Sequence, residues 1–155
     1  MRLSKNFVLS EVTRSNTAKR LGIDNTPKNN HLKSMQRIIS ELAQPLRDAL
    51  GPIRITSGYR SPELNRAIGG SKKSQHSKAE AVDIQFWSEG QMKNQIIYDW
   101  VLKSGIEFDQ MINEFDFAWI HISLKEKDNR KEVLEAYKDK EGDTAYKYAD
   151  THTTL

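Results

Sequence analysis

The sequence contains no cysteine, which excludes disulfide bonds and thiolate metal ligands. Any metal site must therefore use histidine and carboxylate side chains. The sequence also lacks an apolar run that approaches the roughly 18 residues of a membrane-spanning helix, and residues 1–7 lack the apolar stretch of a signal peptide. We therefore expect a protein that is made in the cytoplasm and does not insert into a membrane.

Neither sign of charge dominates, because 24 basic and 21 acidic residues leave a formal net charge of +3. This balance indicates a mixed, solvated surface, and attraction to an anionic polymer is the alternative. The arginines are not clustered and aromatic residues are not interleaved with them, so we expect no nucleic-acid partner. The 155 residues amount to one domain of ordinary size, and we expect it to be a monomer.

The segment 74–83 carries two residues that suit a metal site, His76 and, seven positions later, Asp83. Imidazole nitrogen and carboxylate oxygen both bind zinc, and a catalytic zinc takes three protein ligands and a water molecule. A third candidate, His121, lies in the apolar alternation of residues 118–123, which predicts a strand. Its side chain shares one face of that strand with Trp119. On its own, a histidine in a strand more often makes a hydrogen bond than binds a metal.

A third segment, residues 52–65, predicts a strand, a glycine turn and a helix with Ser61 as its cap and Pro62 at its first position. The three segments occur in the order SGYRSPELN, SQHSKAEAVD and WIHIS. In this order they resemble the zinc D-Ala-D-Ala carboxypeptidase superfamily. That superfamily includes vancomycin-resistance dipeptidases, phage L-alanyl-D-glutamate endolysins and the Hedgehog signalling domain. The resemblance covers roughly residues 7–138.

The resemblance implies that one Zn²⁺ per chain is bound by His76, Asp83 and His121. It implies hydrolysis of an amide bond in the D-amino-acid-containing peptide stem of bacterial peptidoglycan, by a carboxypeptidase or an endopeptidase. A phage or prophage product that acts on the cell wall would fit this activity, and a non-catalytic zinc-containing binding module of the same fold is the alternative. The family usually has glycine where this chain has Ala79. If that loop requires a positive φ, alanine costs about 1 kcal/mol.

Amide hydrolysis at neutral pH needs a carboxylate that moves a proton, and both Glu114 and Asp116 precede His121 closely enough to serve. Glu114 matches the position of a glutamate in the phage and bacterial branch, so it is the preferred candidate. Arg60 matches the family's arginine, which stabilises the negative charge on the carbonyl oxygen. The alternative for Arg60 is a structural ion pair with Glu63 or Asp83.

Three further residues are expected to contact the substrate. Ser74 resembles the family's serine two positions before the first ligand, although it could instead cap its own backbone. Tyr59 and Trp119 flank the predicted site residues and are expected to bind substrate as well. If the basic loop 69–73 has a function, its lysines would meet a carboxylate of the substrate.

Apolar periodicity predicts the secondary structure. Helices are predicted at 9–12, 15–21 and 31–50, after Ser61, and from a cap at 88–91 to about residue 104. Strands are predicted at 53–56, 109–115, 119–124 and 133–137. Pro45 should kink the longest helix. The last helix is expected to turn Met92, Ile96, Ile97, Trp100 and Val101 inward. The expected fold is α+β, with a small, mainly antiparallel sheet, helices on one face and a zinc cleft on the other.

The zinc peptidase domain is expected to occupy residues 1–138, with strand 133–137 at the edge of its sheet. Residues 139–155 have little apolar content, and we expect a loosely ordered polar tail there. His152 in this tail and His31 near the start of the long helix are expected to be surface residues rather than metal ligands.

Overall fold

The computed structural model describes residues 1–149, and a seven-stranded sheet lies at its centre. The helices are α1 (Leu9–Thr13), α2 (Asn16–Leu21), α3 (Asn29–Ile38), α4 (Gln44–Leu50), α5 (Pro62–Ala67) and α6 (Asn94–Ser104). The strands are β1 (Ile53–Ser57), β2 (Ala81–Ser88), β3 (Gln91–Met92), β4 (Gln110–Glu114), β5 (Trp119–Ser123), β6 (Glu132–Lys138) and β7 (Thr144–Tyr148). The strand order is β1-β2-β5-β4-β6-β7, with β3 paired to β2. Among the described strands, β4 and β6 run parallel and the other pairs are antiparallel, so the predicted α+β fold is confirmed.

The alternation of side chains along the central strands separates a core face from a polar face. Val82 and Ile84 of β2 and Ile122 of β5 are at most 1% exposed. The helices contribute Met35, Ile38, Ile39, Leu42, Leu46, Ile97 and Val101 to the same core. Because side chains alternate along a strand, Asp83 and His121 project from the opposite face.

Helices α3 and α4 are joined by a π-helical turn at Ile39–Ala43, so that residues 29–50 form one helical segment. In this turn the N–H of Gln44 donates to the carbonyl of Ile39, five residues back. Pro45 follows directly, and proline removes a donor and crowds the preceding turn of an α-helix. The irregularity that the sequence predicts at Pro45 therefore takes the form of a π turn just before the proline.

Residues 88–91 do not cap a helix, so this prediction is wrong. Ser88 ends β2, and the chain then reverses through Glu89 and Gly90, whose φ angles are 54° and 73°. Gln91–Met92 pairs back onto β2. Two consecutive residues with positive φ make the tight turn that suits the twist of a β-hairpin, and this local preference outweighs the helical pattern at the start of the segment.

The late start of α6 also changes which of its residues face the core. Ile97 and Val101 are buried as predicted, whereas Met92 and Ile96 are each 40% exposed. The helix begins at Asn94, whose side-chain oxygen accepts a hydrogen bond of 2.8 Å from the N–H of Phe86. Because Asn94 is anchored inward, the helical phase places Ile96 on the outer side.

The segment predicted as a loose tail contains β7, so that prediction is wrong for Thr144–Tyr148. This strand pairs with β6, which is consequently not at the edge of the sheet. The Asp139 carboxylate closes the hairpin by accepting the N–H groups of Glu141 and Asp143 at 3.0 and 2.9 Å. His152 lies outside the described residues. Within residues 1–149, no helix has the length and apolar character needed to cross a membrane.

Candidate metal centre

Two neighbouring strands and one loop bring the three predicted ligands together. Asp83 in β2 is paired directly with His121 in β5, and His76 comes from the loop before β2. One donor atom from each of the three lies within 4.8 Å of the other two, and all three residues are buried. Paired residues in a sheet project from the same face, so the register of β2 and β5 alone places two of the ligands side by side.

The outer nitrogens of both histidines face oxygen atoms that only accept hydrogen bonds. Nδ1 of His76 lies 2.7 Å from the carbonyl oxygen of Gly58, and Nε2 of His121 lies 2.7 Å from Oε1 of Gln75. The amide of Gln75 is oriented by its own Nε2, which donates to Oδ2 of Asp109 at 3.3 Å. Both outer nitrogens must therefore carry the hydrogen atom, and in the neutral rings the inner nitrogens carry lone pairs.

These inner lone pairs point at a carboxylate. Nε2 of His76 and Nδ1 of His121 lie 3.1 and 3.0 Å from the same oxygen, Oδ1 of Asp83. Three acceptors in contact repel one another unless a cation lies between them or the rings are protonated. Zinc binds such donors at about 2.0–2.2 Å, which puts tetrahedral neighbours roughly 3.3 Å apart, close to the observed spacing. The donor set therefore fits zinc.

The charge state of Asp83 suits a metal ligand. Burial opposes ionisation of this carboxyl most strongly, but when their rings are protonated His76 and His121 outweigh burial and hold its pKa well below the usual range. A carboxylate that stays ionised at neutral pH is available to a cation without the loss of a proton.

The loop that holds His76 has the strained residue that the sequence suggests. Ala79 has a φ of +59° and is fully buried. The N–H of Ala79 donates to the carbonyl of His76 at 3.1 Å, which closes the turn. Glycine adopts this conformation without strain, so alanine costs about 1 kcal/mol here, and the loop keeps its shape despite that cost.

Gly58, whose carbonyl orients His76, occupies a position where a side chain does not fit. A Cβ atom at this residue would collide with the backbone of Val12. Tyr59, the next residue, donates its N–H to the carbonyl of Val12. The close approach of these two segments explains the glycine in the SGYR motif.

A buried carboxylate behind the ligands, Asp109, supports His121 through Gln75, and it was not among the residues predicted from the sequence. Asp109 is 1% exposed and accepts hydrogen bonds from Nε and Nη2 of Arg130 at 3.1 and 2.8 Å. Burial opposes its ionisation most strongly, but the hydrogen bonds and charge of Arg130 and the charge of Lys125 lower its pKa. Nothing local in the sequence marks this network, except that Gln75 adjoins His76.

A cavity of about 550 Å³ opens over the three ligands. Of the other predicted site residues, Arg60, Ser74, Glu114 and Trp119 line it. Asp116 and Tyr59 do not. The structure therefore groups four of the six predicted catalytic and substrate-binding residues around the metal site.

Glu114 ends β4 and is buried in the cavity wall, one strand away from His121. Burial is the main cause that raises its pKa, the charge of His121 opposes this, and the charge of Asp83 adds to it. Among residues 1–149, no group donates a hydrogen bond to its carboxylate. Asp116, the alternative base, is exposed in the following turn, where the φ angles of residues 115–117 are all positive.

The contacts of Arg60 fit both roles that the sequence allows, a structural ion pair and a contact with the substrate. Its Nη2 is 3.6 Å from Oδ2 of Asp83, and its Nε donates to Oγ of Ser57 at 3.3 Å. Burial lowers the pKa of the guanidinium, and Asp83 opposes that shift. The ion pair with Asp83 is therefore present, while Glu63 is exposed and forms no ion pair with Arg60 within the described residues. Arg60 also faces the cavity.

The three predicted substrate-binding residues occupy different surroundings. Oγ of Ser74 lines the cavity and also accepts the N–H of His76 at 3.2 Å, so the local backbone contact exists. Trp119 lines the cavity with its ring centroid 5.6 Å from that of Phe115. Tyr59 is 5% exposed, packs against His31 and lines a separate cavity of about 330 Å³. Because Tyr59 is buried and does not line the metal cavity, the structure argues against a substrate contact there.

The comparison with known families agrees with this geometry. A family model described as Peptidase M15 matches residues 5–123, a segment that includes the three ligands and Glu114. No curated protein matches the chain.

Proposed function

The chain belongs to the peptidase M15 family, whose members are zinc-dependent metallopeptidases, and on that premise we propose that it hydrolyses an amide bond in the peptide stem of bacterial peptidoglycan. The observation that carries this proposal is the convergence of His76, Asp83 and His121 on one point of a cavity whose wall holds Glu114. Peptidases of the family act on peptidoglycan-type substrates. The bond cleaved distinguishes a carboxypeptidase from an endopeptidase, and both remain within the proposal.

A zinc ion held by His76, Asp83 and His121 would supply an activated water molecule and polarise the scissile carbonyl. The protein orients this set through hydrogen bonds behind it. The Gly58 carbonyl fixes the tautomer of His76, and Gln75 fixes that of His121. Such outer partners raise ligand basicity and set ring orientation.

Glu114 is the proposed proton carrier. A general base works best when its pKa lies near the working pH, and burial moves the pKa of Glu114 in that direction. Its carboxylate takes a proton from the attacking water and then passes it to the leaving amine. Because no described group donates a hydrogen bond to it, the carboxylate is free to accept that proton.

Arg60 is the proposed partner of the carbonyl oxygen. Its guanidinium lines the cavity beside Asp83 and is only 20% exposed. A fixed positive charge stabilises a developing oxyanion most strongly where water is excluded. The contact with Asp83 holds the guanidinium in place during the reaction.

We propose that the protein acts on the bacterial cell wall, as a phage or prophage product would. Digestion of purified sacculi tests the proposal. The zinc-loaded protein should release fragments with new amine and carboxyl ends, and mass spectrometry identifies the bond. Glu114→Gln should release none, and Asp116→Asn should behave like the unmodified protein. If the zinc-loaded protein leaves sacculi intact, the non-catalytic binding module becomes the better description.

A further inference from the structure

The C-terminal hairpin of β6 and β7 lies beyond the segment that matches the family, yet it forms one wall of the cavity. Leu134 of β6 and Thr144 and Tyr146 of β7 line the same cavity as the metal ligands. The hairpin is joined to the site by the parallel pairing of β6 with β4, the strand that ends at Glu114. The substrate cavity is therefore completed by residues outside 5–123.

A second contact holds the hairpin against the turn that follows Glu114. Nζ of Lys138 donates to Oγ1 of Thr144 at 2.9 Å and lies 5.0 Å from the ring centroid of Phe115. A cation over an aromatic face is attracted to the ring. The position of β7 relative to Glu114 is thus fixed by side chains as well as by strand pairing.

Strand register places Tyr146 in one row with Glu114. Tyr146 is paired with Ala136, Ala136 with Glu114, and Glu114 with Trp119. Paired residues project from the same face, so Glu114 and Tyr146 flank the small, buried Ala136, and both line the cavity. The row crosses four strands, or about 14 Å, which is roughly the length of four extended peptide residues.

We propose that Tyr146 binds the substrate peptide on the Glu114 side of the scissile bond, and that the peptide lies across the strands between Tyr146 and Trp119. The proposal rests on the peptidase function proposed above. Tyr146 is 54% exposed although it lines the cavity, so its ring face is available to a ligand. Such a contact forms in the ground state and in the transition state alike, and its loss should raise KM more than it lowers kcat.

Steady-state kinetics on a synthetic stem peptide of peptidoglycan test this role. We expect Tyr146→Ala to raise KM at least tenfold with kcat within about threefold of the unmodified protein, because one aromatic contact is lost. Tyr146→Phe should restore KM because it keeps the ring. Tyr137→Ala is the matched control, since Tyr137 lies on the opposite face of the same hairpin and is 41% exposed. Zinc content and Tm should not differ among the four proteins.

The inference is overturned if Tyr146→Ala leaves KM unchanged, or if Tyr137→Ala raises KM equally. Calorimetric titration of the same peptide into Glu114→Gln, with and without Tyr146→Ala, separates binding from turnover. A Kd that rises at least tenfold with Tyr146→Ala supports the contact even if the unmodified protein proves inactive, in which case only the proposed hydrolysis fails. Absence of both binding and hydrolysis would overturn both proposals.

Discussion

Replacing Glu114 by glutamine should abolish hydrolysis and at the same time stabilise the folded protein near neutral pH. The side chain keeps its shape, but an amide cannot accept the proton, and a general base contributes about 10²- to 10⁴-fold to the rate. We therefore expect at least a hundredfold loss of kcat/KM. The effect on stability has the opposite sign because burial disfavours the ionised carboxylate, whose pKa is raised from its ordinary value of 4.5.

The sign of the stability effect follows from linkage between protonation and folding. A carboxyl group whose pKa is raised in the folded state gives full stability below its unfolded pKa, and that stability is lost as pH rises through the folded pKa. Because glutamine does not ionise, Glu114→Gln avoids this pH-dependent loss of folding stability. The Tm of the variant should therefore match that of the unmodified protein near pH 4 and exceed it near pH 7.

Melting curves of the zinc-free protein between pH 4 and pH 8, and hydrolysis of a stem peptide by the zinc-loaded protein, measure the two effects. The acid limb of kcat/KM should lie above pH 4.5, since Glu114 must be ionised to act as a base. Asp116→Asn, in the exposed turn, serves as the control. Retention of more than a tenth of the rate in Glu114→Gln would exclude it as the base. A lower Tm for the variant at pH 7 would show that the carboxylate has a stabilising partner.

Two further substitutions test a residue that orients a metal ligand and a residue proposed to stabilise the developing oxyanion. Gln75→Ala removes the acceptor of the His121 N–H, so the zinc affinity, measured by competition with a chelator, should fall about 10- to 100-fold. Gln36→Ala, on the exposed side of α3, is the control and should leave the zinc affinity unchanged. Equal affinity in both variants would mean that Gln75 does not orient the ligand. Arg60→Lys keeps the charge but loses the planar fork, so the rate should fall about a hundredfold, equivalent to about 3 kcal/mol, with Tm within a few degrees. Full activity with a clearly lower Tm would instead assign Arg60 to the fold.

The grouping of His76, Asp83 and His121 was predictable because three short segments, in their order along the chain, resemble a known family. Side-chain alternation then explains why His121 faces away from the core, and that pattern is contained in a few residues of its strand. The positive φ at Ala79 could also be anticipated, because the resembling family usually has glycine at that loop position. Pairing of β2 with β5 then brings the two local patterns together.

The rest of the site depends on contacts that are distant in sequence. Gln75 meets Asp109 across 34 positions and Asp109 meets Arg130 across 21, and neither Asp109 nor Arg130 stands in a recognisable motif. Strand β7 was missed because its polar composition resembles a tail. Its order comes from pairing with β6 and from the turn closed by Asp139, which only the folded chain reveals.

The central claim is that His76, Asp83 and His121 hold one zinc ion that the reaction requires. Metal analysis of the purified protein, beside His121→Ala prepared in the same way, tests it most directly. We predict one zinc per chain in the unmodified protein, far less in the variant, and a Tm that falls in the unmodified protein but not in the variant when a chelator is added. Equal zinc in the two proteins would remove His121 from the site and contradict the account.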